Sequence, residues 1–353
     1  MAEWIERLRD STGRIGDKFK RQPRAGTEVA GTSTRKRLII GGIALFLLVQ
    51  VVLAWIWSRE PDLFWVTGKD EAGRTVTGYS TTETLIRVSQ TLLDKPGGFL
   101  SNDITPPSVF LDNMPNWEMG VIIQVRDLAK ALRNDYSRSQ SQSTEDPDLA
   151  QAEPAFNFNH DSWMLPASER KYREGISHLQ AYLARLEDEN QSETQFYARA
   201  DNLREWLIVV EKRLGNLSQQ LSASVGQVRV DTDLAGDRAA EMATPRSEDR
   251  VVKTPWLEID DVFYQARGTA WALLHFLRAA QFDFEQVLQD KNAVVSLRQI
   301  IRELEESLSP MRSPLVMNGK GFGLFPNHSL VMASYLSRAN SAVINLRELL
   351  DQG

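Results

Sequence analysis

The chain has 353 residues, no cysteine and a formal net charge of −6. The lack of cysteine excludes disulfide bonds, thiolate nucleophiles and cysteine-based metal sites. Residues 1–37 carry ten basic and five acidic side chains, so the acidity belongs to the part beyond residue 57. An acidic domain argues against nucleic acid as a partner, because phosphate binding needs clustered Lys and Arg.

An uncharged run occupies residues 38–57. Twenty helical residues rise ~30 Å, which matches the hydrocarbon thickness of a bilayer. The run is longer than the apolar core of a cleaved signal peptide, and no small-x-small cleavage motif follows it. We therefore predict a transmembrane helix over residues 38–57 with the lipid bilayer as partner; the alternative is an unusually long buried helix. The membrane-anchor residues are Arg35, Lys36 and Arg37 before the run and the interfacial Trp55 and Trp57 at its end.

The charges flanking this run predict its orientation. Residues 1–37 have a net charge of +5, whereas few basic side chains follow the run. Positive flanks stay in the cytoplasm, so residues 1–37 are expected to form a basic cytoplasmic tail and residues 58–353 an exported domain. Residues 1–19 mix apolar and basic side chains, which suits either an amphipathic helix on the inner leaflet or a partly disordered tail.

Beyond the run, apolar residues recur at alternating spacings of three and four, which is typical of helices packed along heptad seams. A first helix is expected to begin at Ser80 or Thr81, with Ser80 and Glu83 as a capping box. Residues 260–280 are apolar nearly all round and predict a buried helix too short to span a membrane. Seams are predicted over residues 122–136, 172–186, 196–221, 294–308 and 332–350.

These segments predict an all-α fold, in which a single N-terminal transmembrane helix precedes an antiparallel bundle of six or seven helices. The seams over residues 172–186 and 196–221, separated by a polar break, are expected to form an antiparallel hairpin. Core packing within one chain is the preferred interpretation of the seams. The alternative is an exposed seam that binds a partner helix or a second copy.

Two polar stretches, residues 137–155 and 226–256, are expected to be flexible loops. They would divide the exported domain into sub-parts covering residues 58–136, 156–225 and 257–353.

The most unusual local sequence precedes the last predicted helix, where glycines alternate around Lys320. Asn327 or Ser329 can cap that helix, and its positive end together with Lys320 would suit a phosphate or carboxylate. The preferred interpretation is instead a tight connection whose Phe322, Leu324 and Phe325 plug the end of the bundle. The candidate ligand residues are Gly319, Lys320, Gly321, Gly323, Asn327, His328 and Ser329.

No set of residues predicts catalysis or metal binding. The histidines lack metal-ligand spacing, and His275 is interpreted as a hydrogen-bonded core residue. The consecutive residues 160–162, His-Asp-Ser, cannot adopt triad geometry. Glu258 and Asp260 are the carboxylates that a hydrolase could use, but such pairs are typical of solvated helix faces. We therefore predict no catalytic residue, no metal and no cofactor.

The segments DKNAVVSLRQIIREL (290–304) and NGKGFGLFPNHSLVMASYLSRANSAVINLRELL (318–350), together with the anchor, resemble a family of membrane-anchored proteins of Gram-negative bacteria. That family is uncharacterised, a domain of unknown function numbered two thousand three hundred thirty-three. The resemblance implies a bacterial inner membrane, with residues 58–353 in the periplasm, and it implies no catalytic residue.

The expected function is a non-catalytic scaffold or adaptor of the cell envelope, which contacts an envelope protein or a second copy through helical surfaces. A second hypothesis is an anion-binding sensor or regulator that uses residues 319–329. An envelope hydrolase is a distant third.

Overall fold

The structure, a computed structural model, describes residues 30–68, 73–139, 144–188, 194–229, 250–311, 313, 315–320 and 323–352. The expectations for the tail 1–19, for Gly321 and for Phe322 lie outside the described residues. The chain divides into two compact units, Met1–Val51 and Val52–Gly353.

Helix α1, Ala30–Trp57, contains the apolar run. Its segment Arg35–Trp57 has a mean hydropathy of 2.6, and no residue in its apolar window is buried. Among the described residues it is the one helix long and apolar enough to cross a membrane. The helix begins eight residues before the predicted span, inside the stretch assigned to the tail.

The second unit is helical, which confirms the all-α fold. In the described part of the chain it contains seven longer helices and two short ones: α2 Tyr79–Asp94, α3 Asn113–Ala131, α4 Leu149–Phe156, α5 Ser168–Glu187, α6 Ala200–Ser222, α7 Ile259–Asp283, α8 Glu285–Asp290, α9 Val294–Ser307 and α10 His328–Asp351. Two three-residue strands, β1 Gln227–Arg229 and β2 Arg250–Val252, pair antiparallel.

Helix α7 is the central helix, as its apolar composition predicts. It packs against α2, α3 and α9, and also touches α6 and α10. Helix α3 approaches it closely, because a Cβ on Gly268 would lie 2.0 Å from the Trp117 carbonyl oxygen and one on Gly120 2.2 Å from the Gln265 carbonyl oxygen. Glycine at both positions therefore sets the spacing of the two central helices.

The heptad seams are buried within the chain, which is the preferred interpretation above. Helix α6 packs along α10, and α9 packs on the other side of α10. The predicted hairpin of α5 and α6 is wrong, because α5 packs mainly against α4 and α2. Heptad spacing shows which face of a helix is buried but does not identify its partner.

Helix α4 overlaps the end of the stretch 137–155 that was expected to be a loop. Leu149, Ala152 and Phe156 are buried, and their spacing of three and four places them on one face of the short helix. The Asp146 carboxylate accepts hydrogen bonds from the Asp148 and Leu149 amides, which satisfies donors at the start of the helix.

Helix α2 begins at Tyr79 without the predicted capping box. The carboxylate of Asp283, at the end of α7, accepts hydrogen bonds from the Gly78 and Thr81 amides at 2.9 and 2.6 Å. Gly78 adopts a φ of +91°, which favours glycine. A residue two hundred positions away thus supplies the cap that local sequence assigned to Ser80.

Contacts between helices define two ends of the bundle. The start of α3 adjoins the start of α7 through Asn116 and Asp261. The opposite ends of these two helices meet where the rings of Tyr136 and Phe284 lie 5.3 Å apart. His328, the first residue of α10, lies beside Phe263 near the start of α7. We call the end with the starts of α3, α7 and α10 the anchor-side end, and the other the far end.

Candidate functional site

The segment that follows the anchor, residues 58–68, lies along α7, and we call it the strap. Arg267 on α7 donates from Nε and Nη2 to the two Glu60 carboxylate oxygens at 2.6 and 2.7 Å. Arg267 is buried, and it also donates to the Ser309 carbonyl oxygen at the end of α9. Bidentate, buried pairs of this kind fix both distance and orientation. The first residues after helix α1 are therefore held against the central helix.

Further along, the same face of α7 holds the strap backbone. Trp271 donates from Nε1 to the Pro61 carbonyl oxygen at 3.1 Å. The Phe64 amide donates to Nε2 of His275 at 3.2 Å, and Nδ1 of His275 lies 2.7 Å from the Trp271 carbonyl oxygen. Both contacts suit a neutral imidazole with its proton on Nδ1, and burial lowers the pKa of His275 to about 4. His275 is thus the hydrogen-bonded core residue that was predicted, with the strap as one partner.

Further along the strap, the ring of Trp65 stacks against an arginine of α7. The Arg278 guanidinium lies 3.2 Å from the centre of the Trp65 ring, and burial lowers the pKa of Arg278 to about 10. Arg278 also pairs with Glu305 of α9. The four α7 residues that hold the strap, Arg267, Trp271, His275 and Arg278, are spaced by three and four and so share one face of the helix.

Trp57, the last residue of α1, packs on the connection between α2 and α3. A Cβ on Gly97 would lie 2.7 Å from the Trp57 ring, and Gly97 has a φ of +89°. The connection is held by an ion pair between Lys95 Nζ and Glu118 Oε1 at 2.6 Å, with neither side chain exposed. The Glu118 carboxylate also accepts from the Leu100 and Ser101 amides.

This ion pair lies in the connection on which Trp57 packs, and its burial is costly. Burial raises the pKa of Glu118, while Lys95 and the amide donors act in the opposite direction. Two charges taken out of water need further hydrogen bonds to offset the loss of solvation, and Lys95 makes one of these by donating to the Gly98 carbonyl oxygen.

Three cavities adjoin the strap. One, of about 560 Å³, is lined by side chains of both signs, among them Arg59, Asp62, Arg87 and Asp94. A second, of about 380 Å³, lies beside Trp65 and His275, and a third, of about 400 Å³, lies at the end of the strap beside Gly68.

The glycine-rich loop folds back as a short hairpin. The Gly319 amide donates to the Pro326 carbonyl oxygen at 3.0 Å, and a Cβ on Gly319 would lie 1.9 Å from the Phe325 carbonyl oxygen. Leu324 and Phe325 are exposed, so the expectation that they plug the bundle is wrong. The hairpin closes on its own backbone and leaves its apolar tip outside.

The predicted ligand residues of this loop lie in different environments. Asn327 caps α10, since its Oδ1 accepts from the Leu330 amide at 2.8 Å. Ser329 is buried, while Lys320 and Gly323 are exposed. Nδ1 of His328 accepts from the Met317 amide at 3.0 Å. Anion binding here stays a prediction, and the cap uses one of the amides that an anion would need.

The other residues that the sequence analysis considered for catalysis lie among ordinary contacts of the fold. The Ser162 hydroxyl donates to the Pro166 carbonyl oxygen at 2.9 Å. Glu258 and Asp260 stand at the start of α7, where burial first, and then the neighbouring carboxylates, raises the pKa of Asp261. In the described part of the chain no three His, Asp or Glu side chains are grouped to hold a metal ion.

Sequence reasoning missed the residues that build the strap and the anchor junction: Glu60, Lys95, Glu118 and Arg267. Two signals were present, since Glu118 and Arg267 are charges among residues that face the core. The pairing of Glu60 with Arg267 joins positions 207 apart, which a single sequence does not reveal.

A family model described as an uncharacterized protein conserved in bacteria (DUF2333) matches residues 32–353. None of the curated proteins compared with the chain matches it, and none of the solved structures does.

Proposed function

The chain belongs to the DUF2333 family of uncharacterized bacterial proteins, and we propose that it is a membrane-anchored scaffold of the cell envelope. In this proposal α1 spans the inner membrane once with its N-terminal side in the cytoplasm. Residues 58–353 form a periplasmic, non-catalytic domain that holds an envelope protein at a set position next to the membrane.

The strap is the observation that carries this proposal. Glu60 is bound by Arg267 only three residues after the end of α1. Three extended residues span at most about 11 Å, so the chain has no slack between anchor and domain. A short attachment of this kind supports a scaffold, because it would keep the binding surfaces of the domain at a set distance from the membrane.

The orientation is supported by charge. Arg35, Lys36 and Arg37 precede the apolar run, and the net charge of residues 1–37 is +5. The positive-inside rule places such a flank in the cytoplasm. A reporter that is active only in the periplasm, fused after Gly353, is expected to give signal. An expressed but silent fusion would reverse the topology.

The scaffold is tested by crosslinking in living cells with the tagged full-length chain, followed by mass spectrometry of the captured proteins. We expect a reproducible envelope partner that also binds the purified full-length chain directly. Failure to find a partner that meets both conditions would contradict the scaffold.

The strap is tested in the same experiment by a matched pair of variants. Glu60→Ala frees the strap from Arg267, whereas Glu174→Ala removes the exposed pair with Lys171 on α5. If fixed attachment matters, Glu60→Ala reduces partner capture while its circular dichroism spectrum stays unchanged, and Glu174→Ala captures as the wild type does. Equal capture by all three proteins would show that the rigid strap is not needed for holding a partner.

A further inference from the structure

We propose that the anchor-side end of the domain docks onto the bilayer surface through exposed apolar side chains, so that lipid is a second, peripheral contact of this chain. The proposal rests on the part of the proposed function in which α1 spans a bilayer. It adds a binding surface in the second unit, formed by connections between helices and separate from the span.

The surface is formed by the described residues of four connections: 95–112, 157–167, 223–229 with 250–258, and 308–311, 313 and 315–320 with 323–327. Asn102 of the first donates to the Ser162 carbonyl oxygen of the second at 2.8 Å. In the third, the Thr254 amide donates to the Ala223 carbonyl oxygen. Asn318 of the fourth donates to the Ser224 carbonyl oxygen at 2.9 Å. These bonds join the connections in pairs at the anchor-side end.

Each connection holds large apolar side chains in solvent. Leu324 is 94% exposed and Leu165 is 91% exposed. Large contiguous apolar patches on the surface of a folded domain mark sites that bind protein or membrane. The surface residues that carry the argument are Phe110, Trp163, Leu165, Trp256, Leu257 and Leu324.

The position of the anchor identifies the bilayer as the cover. Trp57 ends the span and packs on Gly97 of the first connection, and the strap then follows α7 from Arg267 toward Phe282, away from that end. The chain therefore enters the domain at the same end that carries the apolar side chains. Because the strap has no slack, this end cannot move far from the lipid.

The composition also suits a membrane interface. Trp163 and Trp256 are exposed tryptophans, and Lys253 and Lys320 are exposed cations in the same connections. Indole rings and long basic side chains place an apolar body in lipid and a polar group in the headgroup layer. The heptad seams of the described helices are buried within the chain, so the exposed apolar side chains named here belong to the connections.

The test uses site-directed nitroxide labels on the full-length chain, which has no native cysteine to remove. Single cysteines replace Phe110, Leu165, Leu257 and Leu324, and each protein is reconstituted in vesicles of phosphatidylcholine and phosphatidylglycerol. Collisions with oxygen, which concentrates in lipid, and with a water-soluble nickel complex report the medium around each label. Thermal unfolding of each labelled protein confirms that it is folded.

Labels at two further sites serve as controls, one for water and one for lipid. Val295→Cys lies at the far end and is 73% exposed, against 75% for Leu257. Phe46→Cys lies in the apolar run of α1. We expect the four anchor-side labels to lose nickel collisions and gain oxygen collisions, as at position 46, while the label at position 295 stays accessible to nickel.

Three other results would overturn the proposal. Nickel access at the four sites equal to that at position 295 would show that the end stays in water, although a lipid signal at position 46 would leave the anchor intact. Shielding from both reagents would show that a protein or a second copy covers the surface. Nickel access at position 46 would overturn the membrane span itself.

Discussion

At the far end of the domain the connections between helices are held by arginine–carboxylate pairs in contact with water, whereas at the anchor-side end they are held by a fully buried pair. Arg185 binds Asp146 and Asp148 at 2.8 and 2.6 Å, and about a quarter of its side chain remains exposed. Lys95 and Glu118 lie 2.6 Å apart with no exposure. Pairs of opposite charge thus hold connections at both ends, but only the pair at the anchor-side end is out of contact with water.

The two ends also differ in their exposed apolar side chains, and here it is the anchor-side end that shows more of them to solvent. The far end shows Phe282 and Val295 among the described residues, while every anchor-side connection carries several large apolar groups outside. The proposed docking of the anchor-side end on a bilayer accounts for this difference, and each of the following variants tests it.

Glu118→Ala is expected to have the largest effect. It leaves the Lys95 ammonium buried without its partner, which costs about 3–5 kcal/mol of unfolding free energy. Unfolding of the full-length chain in detergent, followed by circular dichroism, measures the loss. The control is the double variant Lys95→Met with Glu118→Leu, which removes both charges and should be destabilised far less. A single variant no worse than the double would show that the pair is not buried as described.

His275 makes the strap side of the domain sensitive to acid. Burial lowers its pKa from 6.5 to about 4, so between these values the unfolded chain binds a proton that the folded chain does not. Stability is therefore lost as the pH falls from 6.5 to 4, by about 3 kcal/mol in total. The pH dependence of unfolding should be shallower in this range for His275→Gln, and identical slopes would contradict the assignment of a neutral, buried imidazole.

Arg185→Ala is expected to have a smaller effect, at the far end. Partly exposed pairs contribute up to about 1 kcal/mol each and are screened by salt. The loss should therefore shrink when unfolding is measured in high salt, whereas the loss caused by Glu118→Ala should not. Equal salt dependence of the two variants would remove the distinction between the ends.

More of the fold than of the candidate site could be predicted from the sequence. Heptad spacing located the buried faces of α6, α9 and α10, and all-round apolarity identified α7 as the central helix. Helix α4 was missed because it is only eight residues long, so its apolar spacing covers little more than two turns. The sequence also could not show which helices pack against each other, since leucine seams on different helices are chemically equivalent.

The strap could not be predicted because its contacts are long-range. Local rules offered Asn327 or Ser329 as the cap of α10, and Asn327, three residues from its donor, supplies it. The same rules assigned the cap of α2 to Ser80, whereas Asp283 supplies it. The exposure of Leu324 and Phe325 was missed for a related reason. An apolar residue next to a helix is normally interpreted as core, and only the folded arrangement shows that these two side chains remain in solvent.

Leu257→Ser and Val295→Ser are expected to show the smallest effect on stability, and as a pair they test the comparison directly. Both residues are about three-quarters exposed and both lie in or next to the first turn of a helix, so each change should alter the unfolding free energy in detergent by less than about 0.5 kcal/mol. In lipid nanodiscs the two should separate, because only Leu257 loses an apolar contact with the bilayer. Hydrogen exchange of the backbone around residue 257 should then speed up in Leu257→Ser, with no change around residue 295 in Val295→Ser. If both variants exchange in nanodiscs as the wild type does, the ends differ in sequence but not in surroundings.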